Sequence, residues 1–131
     1  MKKNFFSKII ARDEEGLHLI SAYCAEANII MANIKFLPSN KIFLLSLDRL
    51  NKEIDKKNLL IRSICKFEFI ESVRSKNIDQ NDKDLSLKLL AIDLLKSKNN
   101  YEINLLFSEN RYITLLTEII EVTLEDQSKI T

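Results

Sequence analysis

The sequence predicts an α+β protein, one N-terminal helix beside an antiparallel sheet of about six strands, and three observations predict it. Apolar residues recur at helical spacing near the N-terminus. From Ile30 to Leu115 they alternate with a period of two in short runs. The breaks between those runs are short polar turns and loops, whereas parallel neighbours would need long crossover helices.

Taken in order, Asp13, Glu14 and Glu15 place negative charge where a helix N-terminus attracts it, and Leu17, Ile20, Cys24 and Ala27 then share one face, predicting a helix over 13–27. Past Asn28, Ile30, Ala32, Ile34 and Phe36 alternate with Met31, Asn33 and Lys35, a strand. Leu37, Pro38, Ser39 and Asn40 form a turn in which Pro presets a central φ, and Phe43, Leu45 and Leu47 alternate up to Asp48 and Arg49, completing a hairpin. Asp55 to Asn58 make a polar break. Leu59, Ile61, Cys65, Phe67 and Phe69 then share one face, with Arg62, Lys66 and Glu68 on the other. Between Phe69 and Val73 the phase slips, as a bulge or sharp bend requires. Asn77 to Asp84 is a polar loop, after which Leu85, Leu87 and Leu89 hand over to Leu90, Ile92 and Leu94, a second change of face within one strand. Lys96 to Asn100 and Ser108 to Asn110 turn the chain around a strand carrying Tyr101, Ile103, Leu105 and Phe107, and Ile113 and Leu115 resume the meander. From Leu116, helical spacing of Ile119, Ile120 and Leu124 predicts a short C-terminal helical turn, with Glu125 and Asp126 solvated on it.

A sheet hides its apolar face under a helix or by closing on itself. The two face changes argue for strong curvature, so a partly closed barrel analogous to pleckstrin-homology domains is the preferred form, with an open sheet under one helix as its competitor. The 131 residues, 46% hydrophobic, suffice for one domain over 1–131 with its own core. Twenty basic residues against 19 acidic ones leave no field to gather nucleic acid, so no nucleic-acid partner is expected. Charges interrupt every apolar run, so no membrane span is expected, and the charges after Ala11 deny the start a signal-peptide pattern. Cytoplasmic location follows as the expectation, with Cys24 and Cys65 as reduced core thiols.

Chemistry-bearing patterns are sparse. His18 is the single histidine and has no partner at metal or triad spacing, which makes it a structural or solvated residue; no metal and no cofactor are expected. With Gly16 as the sole glycine, no Gly-rich phosphate loop can form. No catalytic residue is nominated. The distinctive polar stretch is Val73 to Asp79, where Arg74 and Lys76 project from one side of an extended chain and offer donors to a phosphate or carboxylate, a candidate anion site. The plainer alternative is that both are solvated and pair with Asp79 or Asp82. Phe43, Phe67, Phe69, Tyr101 and Phe107, at strand spacing, read as core.

Ile20, Ser21, Ala22 and Tyr23, the Phe36-Leu37-Pro38 turn, Phe43 with Leu45, Leu47 and Arg49, the run from Phe67 to Asp79, the stretch from Leu85 to Ile92, and Ile113 to Asp126 together resemble an alphaproteobacterial family of uncharacterised proteins, domain of unknown function 2948. The resemblance covers nearly the whole chain and implies kinship without an activity, cofactor or site residue. Members typically carry Gly where Asn77 stands and a Gly-rich turn where Ser108, Glu109 and Asn110 stand. Asn tolerates positive φ, so the backbone course is expected to survive these departures.

The functional expectation is a non-enzymatic protein-interaction module, because six strands in a small fold leave edges suited to strand addition by a protein partner or to homodimerisation. The rival is a small-molecule or anionic-ligand binder, or an enzyme, with a pocket inside the curved sheet and Arg74 and Lys76 at its mouth.

Overall fold

The computed structural model describes residues 8–51 and 59–129, and within them the alternating runs form ten strands rather than six. In chain order these are β1 (Lys8–Ala11), helix α1 (Glu14–Cys24), β2 (Ala27–Ile30), β3 (Ile34–Leu37), β4 (Ile42–Asn51), β5 (Leu59–Phe67), β6 (Ile70–Lys76), β7 (Ser86–Lys96), β8 (Tyr101–Phe107), β9 (Arg111–Thr117) and β10 (Val122–Lys129). Every pairing is antiparallel, in the order β1-β10-β5-β4-β2-β7-β8-β9-β6, with β3 alongside the start of β4. The α+β class and the antiparallel sheet stand, and the sheet is unclosed: β1 and β6 end it and do not pair with each other among the described residues. The polar break expected at 55–58 lies outside the described residues.

Asp13 caps α1, its carboxylate accepting the Gly16 amide at 2.8 Å, which satisfies one of the orphan donors of a helix start. Gly16 is needed there for another reason. A Cβ on it would stand 3.0 Å from the Cα of Ala11, so its bareness lets the helix start close against the end of β1. Leu17, Ile20 and Cys24 form the buried face. The helix stops at Cys24, short of the expected 27, because Glu26 turns to positive φ (67°) and gives its amide to the carbonyl of Leu89 at 2.7 Å. Ala27, expected on the helix, is instead the first buried residue of β2.

The single strand expected over 30–36 is divided. A 3-10 turn at Met31–Asn33 separates β2 from β3, so Ile29 and Met31 point inward before it and Ile34 and Phe36 after it, while Ile30 and Ala32 face out. The Leu37 to Asn40 turn and its hairpin form as expected, with Lys41 in the left-handed region (φ 57°). β2 touches β4 through one register pair, Asn28 with Asp48. Two halves result, β3-β4-β5-β10-β1 and β2-β7-β8-β9-β6.

The second link between the halves is a bend that begins at Glu68, just ahead of the slip expected between Phe69 and Val73. β5 belongs to the first half and β6 ends the second, and the chain passes between them at Glu68 and Phe69. Phe69 adopts φ 62°, and the ladder slips between Ile70 and Ser72. The bend is tied by the Glu68 amide to Glu121 O (2.9 Å), the Ile70 amide to Lys41 O (2.8 Å) and the buried Thr117 hydroxyl to Phe69 O (2.8 Å). The positive φ turns Phe69 outward, correcting its assignment to the core. The expected face change in β7 is a bulge between Leu89 and Ala91, and the Ser21 hydroxyl of α1 accepts the Ile92 amide there at 2.9 Å.

The C-terminal helical turn is overturned. Glu118 to Glu121 link β9 to β10, a strand that pairs with both β5 and β1. Its inward positions are Val122, Leu124 and Asp126, and the carboxylate at the third of them broke the apolar alternation that would have identified it. The short β1 escaped because Ile9 and Ile10 are adjacent, one half-buried and one exposed.

The two turns where the resemblance implied glycine have left-handed backbone: Asn77 sits at φ 62°, and Glu109 and Asn110 at 64° and 58°. Asn77 also donates its side-chain amide to Asn110 O at 2.6 Å, joining the two turns. A left-handed Glu costs about 1 kcal/mol more than Gly there. Glu109→Gly is therefore expected to raise stability by up to about 1 kcal/mol, and Glu109→Val to lower it by more than about 1 kcal/mol, both read by urea denaturation.

Candidate functional site

β6 ends the sheet. Along Ser72–Lys76 it pairs with β9 on one side, and among the described residues no backbone partner meets its other side. The strand alternates two environments. Arg74 and Lys76 lie on the outer face, across from Thr114 and Tyr112, with which they line a shallow groove. The expectation that the two basic residues share one side therefore holds geometrically. Arg74 is 71% exposed and reaches Glu102 at 3.5 Å, while Lys76 makes no ion pair among the described residues. Asp79 and Asp82, the alternative partners, instead accept the backbone amides of Asn81 (3.0 Å) and Asp84 (3.3 Å) within their own loop.

The inner side of β6 faces a different surface. Val73, with Ile34 and Phe36 of β3, Phe43 of β4, Ile113 of β9 and Ile78 of the loop after β6, lines an apolar cavity of about 120 Å³. Ser75 and Gln80, both exposed and hydrogen-bonded at 2.7 Å, stand at its rim. The cavity lies between the two halves of the sheet, next to the unpaired side of β6. Arg74 and Lys76 occupy the opposite face of that strand and do not line the cavity. His18 is exposed on α1, 3.8 Å from Glu14 one turn earlier, a solvated position.

A buried polar cluster, which the sequence reading missed, lies on the inward face of β4, β5 and β10. Arg49 continues the inward phase of Phe43, Leu45 and Leu47 and is 1% exposed. Its guanidinium donates to both carboxylate oxygens of Asp126 at 3.0 Å and to Ser63 Oγ at 3.2 Å. The Ser63 hydroxyl donates to Asp126 Oδ1 at 2.7 Å. Tyr23 of α1 lies against the guanidinium, ring centroid 5.3 Å from Cζ, a cation–π contact. Asp126 is thus neither on a helical turn nor solvated, as the sequence suggested; its side chain is fully buried. The available signal was that Arg49 and Asp126 both fall at inward positions of alternating runs.

A buried, hydrogen-bonded ion pair becomes costly once one partner is removed. Asp126→Ala is expected to lower stability by about 3 kcal/mol or more, and Arg49→Met with Asp126→Leu together to restore most of the loss, measured by urea denaturation. Next to this cluster, Cys24 of α1 and Cys65 of β5 are free, buried thiols. The hydrogen bond with Cys24, and then burial, push the Cys65 thiol well above its ordinary range, which suppresses the reactive thiolate. An aromatic disulfide reagent at pH 8 should leave both thiols untouched in the native protein and modify both in guanidinium; fast native labelling would contradict their burial.

The model of a family described as "Protein of unknown function (DUF2948)" matches residues 7–131. No curated protein and no solved structure matches the chain.

Proposed function

The chain belongs to the DUF2948 family of uncharacterised proteins, and we propose that it is a non-enzymatic protein-interaction module that receives an extended segment of a partner along β6. The observation that carries this reading is the unpaired side of β6, a seven-residue strand of which every residue from Glu71 to Lys76 except Val73 is exposed. A row of open backbone donors and acceptors is a template for an added strand. The other end strand, β1, has four residues and offers a shorter template. The bends at Met31–Asn33 and at Phe69, which curl the two halves around one core, support reading the fold as one domain with a partly closed barrel of the pleckstrin-homology kind. The two free thiols support a reducing compartment such as the cytoplasm. No helix among the described residues is long and apolar enough to cross a membrane.

Antiparallel self-pairing of β6 would bring Arg74 and Lys76 of two copies onto one face, where like charges destabilise a cross-strand pair. That favours a different partner over homodimerisation. The test is affinity capture from cell extract. A stoichiometric protein should be recovered by the wild-type chain and lost with whichever of Arg74→Pro and Ser75→Pro removes an amide from the open side, since consecutive amides of an antiparallel strand point to opposite sides and the other proline removes a bond to β9 instead. Recovery that both prolines leave intact would place the contact elsewhere.

The cavity favours a second reading, a small-ligand binder, since it combines apolar walls with a polar rim. A ligand held there should raise the melting temperature, because anything that binds the folded state alone stabilises it, and Ile78→Trp should abolish the shift. If the anion site contributes, Arg74→Ala with Lys76→Ala should also reduce it.

A further inference from the structure

The alternation of β6 specifies what kind of segment its edge can accept, and we infer that the partner segment carries an apolar side chain flanked on both sides by acidic residues. This rests on the strand-addition reading above. A strand laid beside β6 shares its pleat, so that its successive side chains fall alternately beside the inner and outer faces. On the inner face they meet Val73 and Ser75 and the cavity beyond them. On the outer face they meet Arg74 and Lys76.

The inner position is matched to one aliphatic side chain. The cavity measures about 120 Å³ and its walls are apolar; a dry apolar cavity of about 150 Å³ is large enough for a benzene-sized group. Ser75 and Gln80 at the rim exchange their mutual hydrogen bond as the segment enters. The outer positions are matched to carboxylates. Among the described residues Arg74 is held by one ion pair, an exposed contact of 3.5 Å to Glu102, and Lys76 makes none, so both can take a cross-strand acid. A basic segment, or a second copy of β6, would meet repulsion at the same two places. Apolar anchoring and charge complementarity thus act on alternate residues of one segment.

The experiment uses the full chain labelled for heteronuclear NMR and short capped threonine peptides with a central Leu flanked by Glu, a central Leu flanked by Lys, or a central Ala flanked by Glu. The Glu-flanked Leu peptide should shift the β6 amides and the methyl signals of Val73 and Ile113 saturably. Its affinity should fall at least about five-fold in Arg74→Glu with Lys76→Glu, a variant of exposed residues that should instead take the Lys-flanked peptide. The Ala-centred peptide should bind roughly ten-fold more weakly, and Ile78→Trp, which fills the cavity, should remove that difference. Equal binding of Glu- and Lys-flanked peptides to the wild type would overturn the acidic specificity and leave strand addition standing. Silence of β6 toward all the peptides would defeat strand addition itself, and this inference with it. Concentration-dependent changes at β6 without peptide would assign the edge to a second copy. Shifts at Arg74 and Lys76 with inorganic phosphate, undisturbed by any peptide, would assign them to a free anion; either result overturns the inference.

Discussion

The fully buried bidentate pair of Arg49 and Asp126 ties the register of three adjacent strands to one contact. Removing two charges from water is expensive, and the loss is offset only when geometry is good and the remaining donors and acceptors are met. Here three adjacent strands must keep register at once: Leu47 and Asp126 both pair with Ser63, and Arg49 pairs with Ile61 one inward step further on. A slip of one residue in β4 or β10 would turn Arg49 or Asp126 to the outer face and leave its partner buried among apolar side chains. Tyr23 adds the helix to the same constraint, so α1 and three strands are positioned by one polar contact. Phe43 and Phe67, packed edge to face at 6.0 Å, continue the inward face toward the bend.

The second constraint is conformational. Phe69 in the left-handed region is unfavourable for an aromatic residue, and it persists because three hydrogen bonds from different elements fix the chain around it. That bend takes the chain out of the middle of one half-sheet and makes the next segment the rim of the other. Had β5 continued straight, Val73 to Lys76 would not end the second half. The exposed side of β6 is therefore a consequence of how Thr117, Lys41 and Glu121 hold residues 68–70. The edge proposed for strand addition is thus created by a backbone feature a few residues before it.

In the proposed strand addition, apolar and electrostatic contacts fall on opposite faces of β6. Its inner side chains, half-buried Val73 and rim residue Ser75, line the apolar cavity, and its outer ones face solvent, where charges cost little to expose. Arg74 and Lys76 also discourage indiscriminate edge-to-edge pairing, as charged residues on edge strands generally do. An open edge on a chain of near-zero net charge would otherwise invite aggregation.

Much of this was legible in the amino-acid order. The helix start at Asp13, the β3–β4 hairpin, the slip between Phe69 and Val73, the face change near Leu89, the strands around Tyr101 to Leu115, and the placement of Arg74 and Lys76 on one side all follow from local rules of capping, turn formation and period-two alternation. The left-handed backbone at Asn77 was expected only from the resemblance to a family that carries Gly there. What the sequence could not reveal depended on distant partners. β10 was hidden because Asp126 is tolerable at an inward position only when Arg49, 77 residues away in the chain, lies across from it. The split between β2 and β3, the outward turn of Phe69 and the cavity beneath Val73 likewise exist only once the two halves fold over each other. Local patterning determined which residues are extended and which face is apolar, because those depend on near neighbours. Tertiary structure decided which strand became the open edge and which buried charges met, because pairing order and the burial of charge are settled by contacts between segments far apart in the chain.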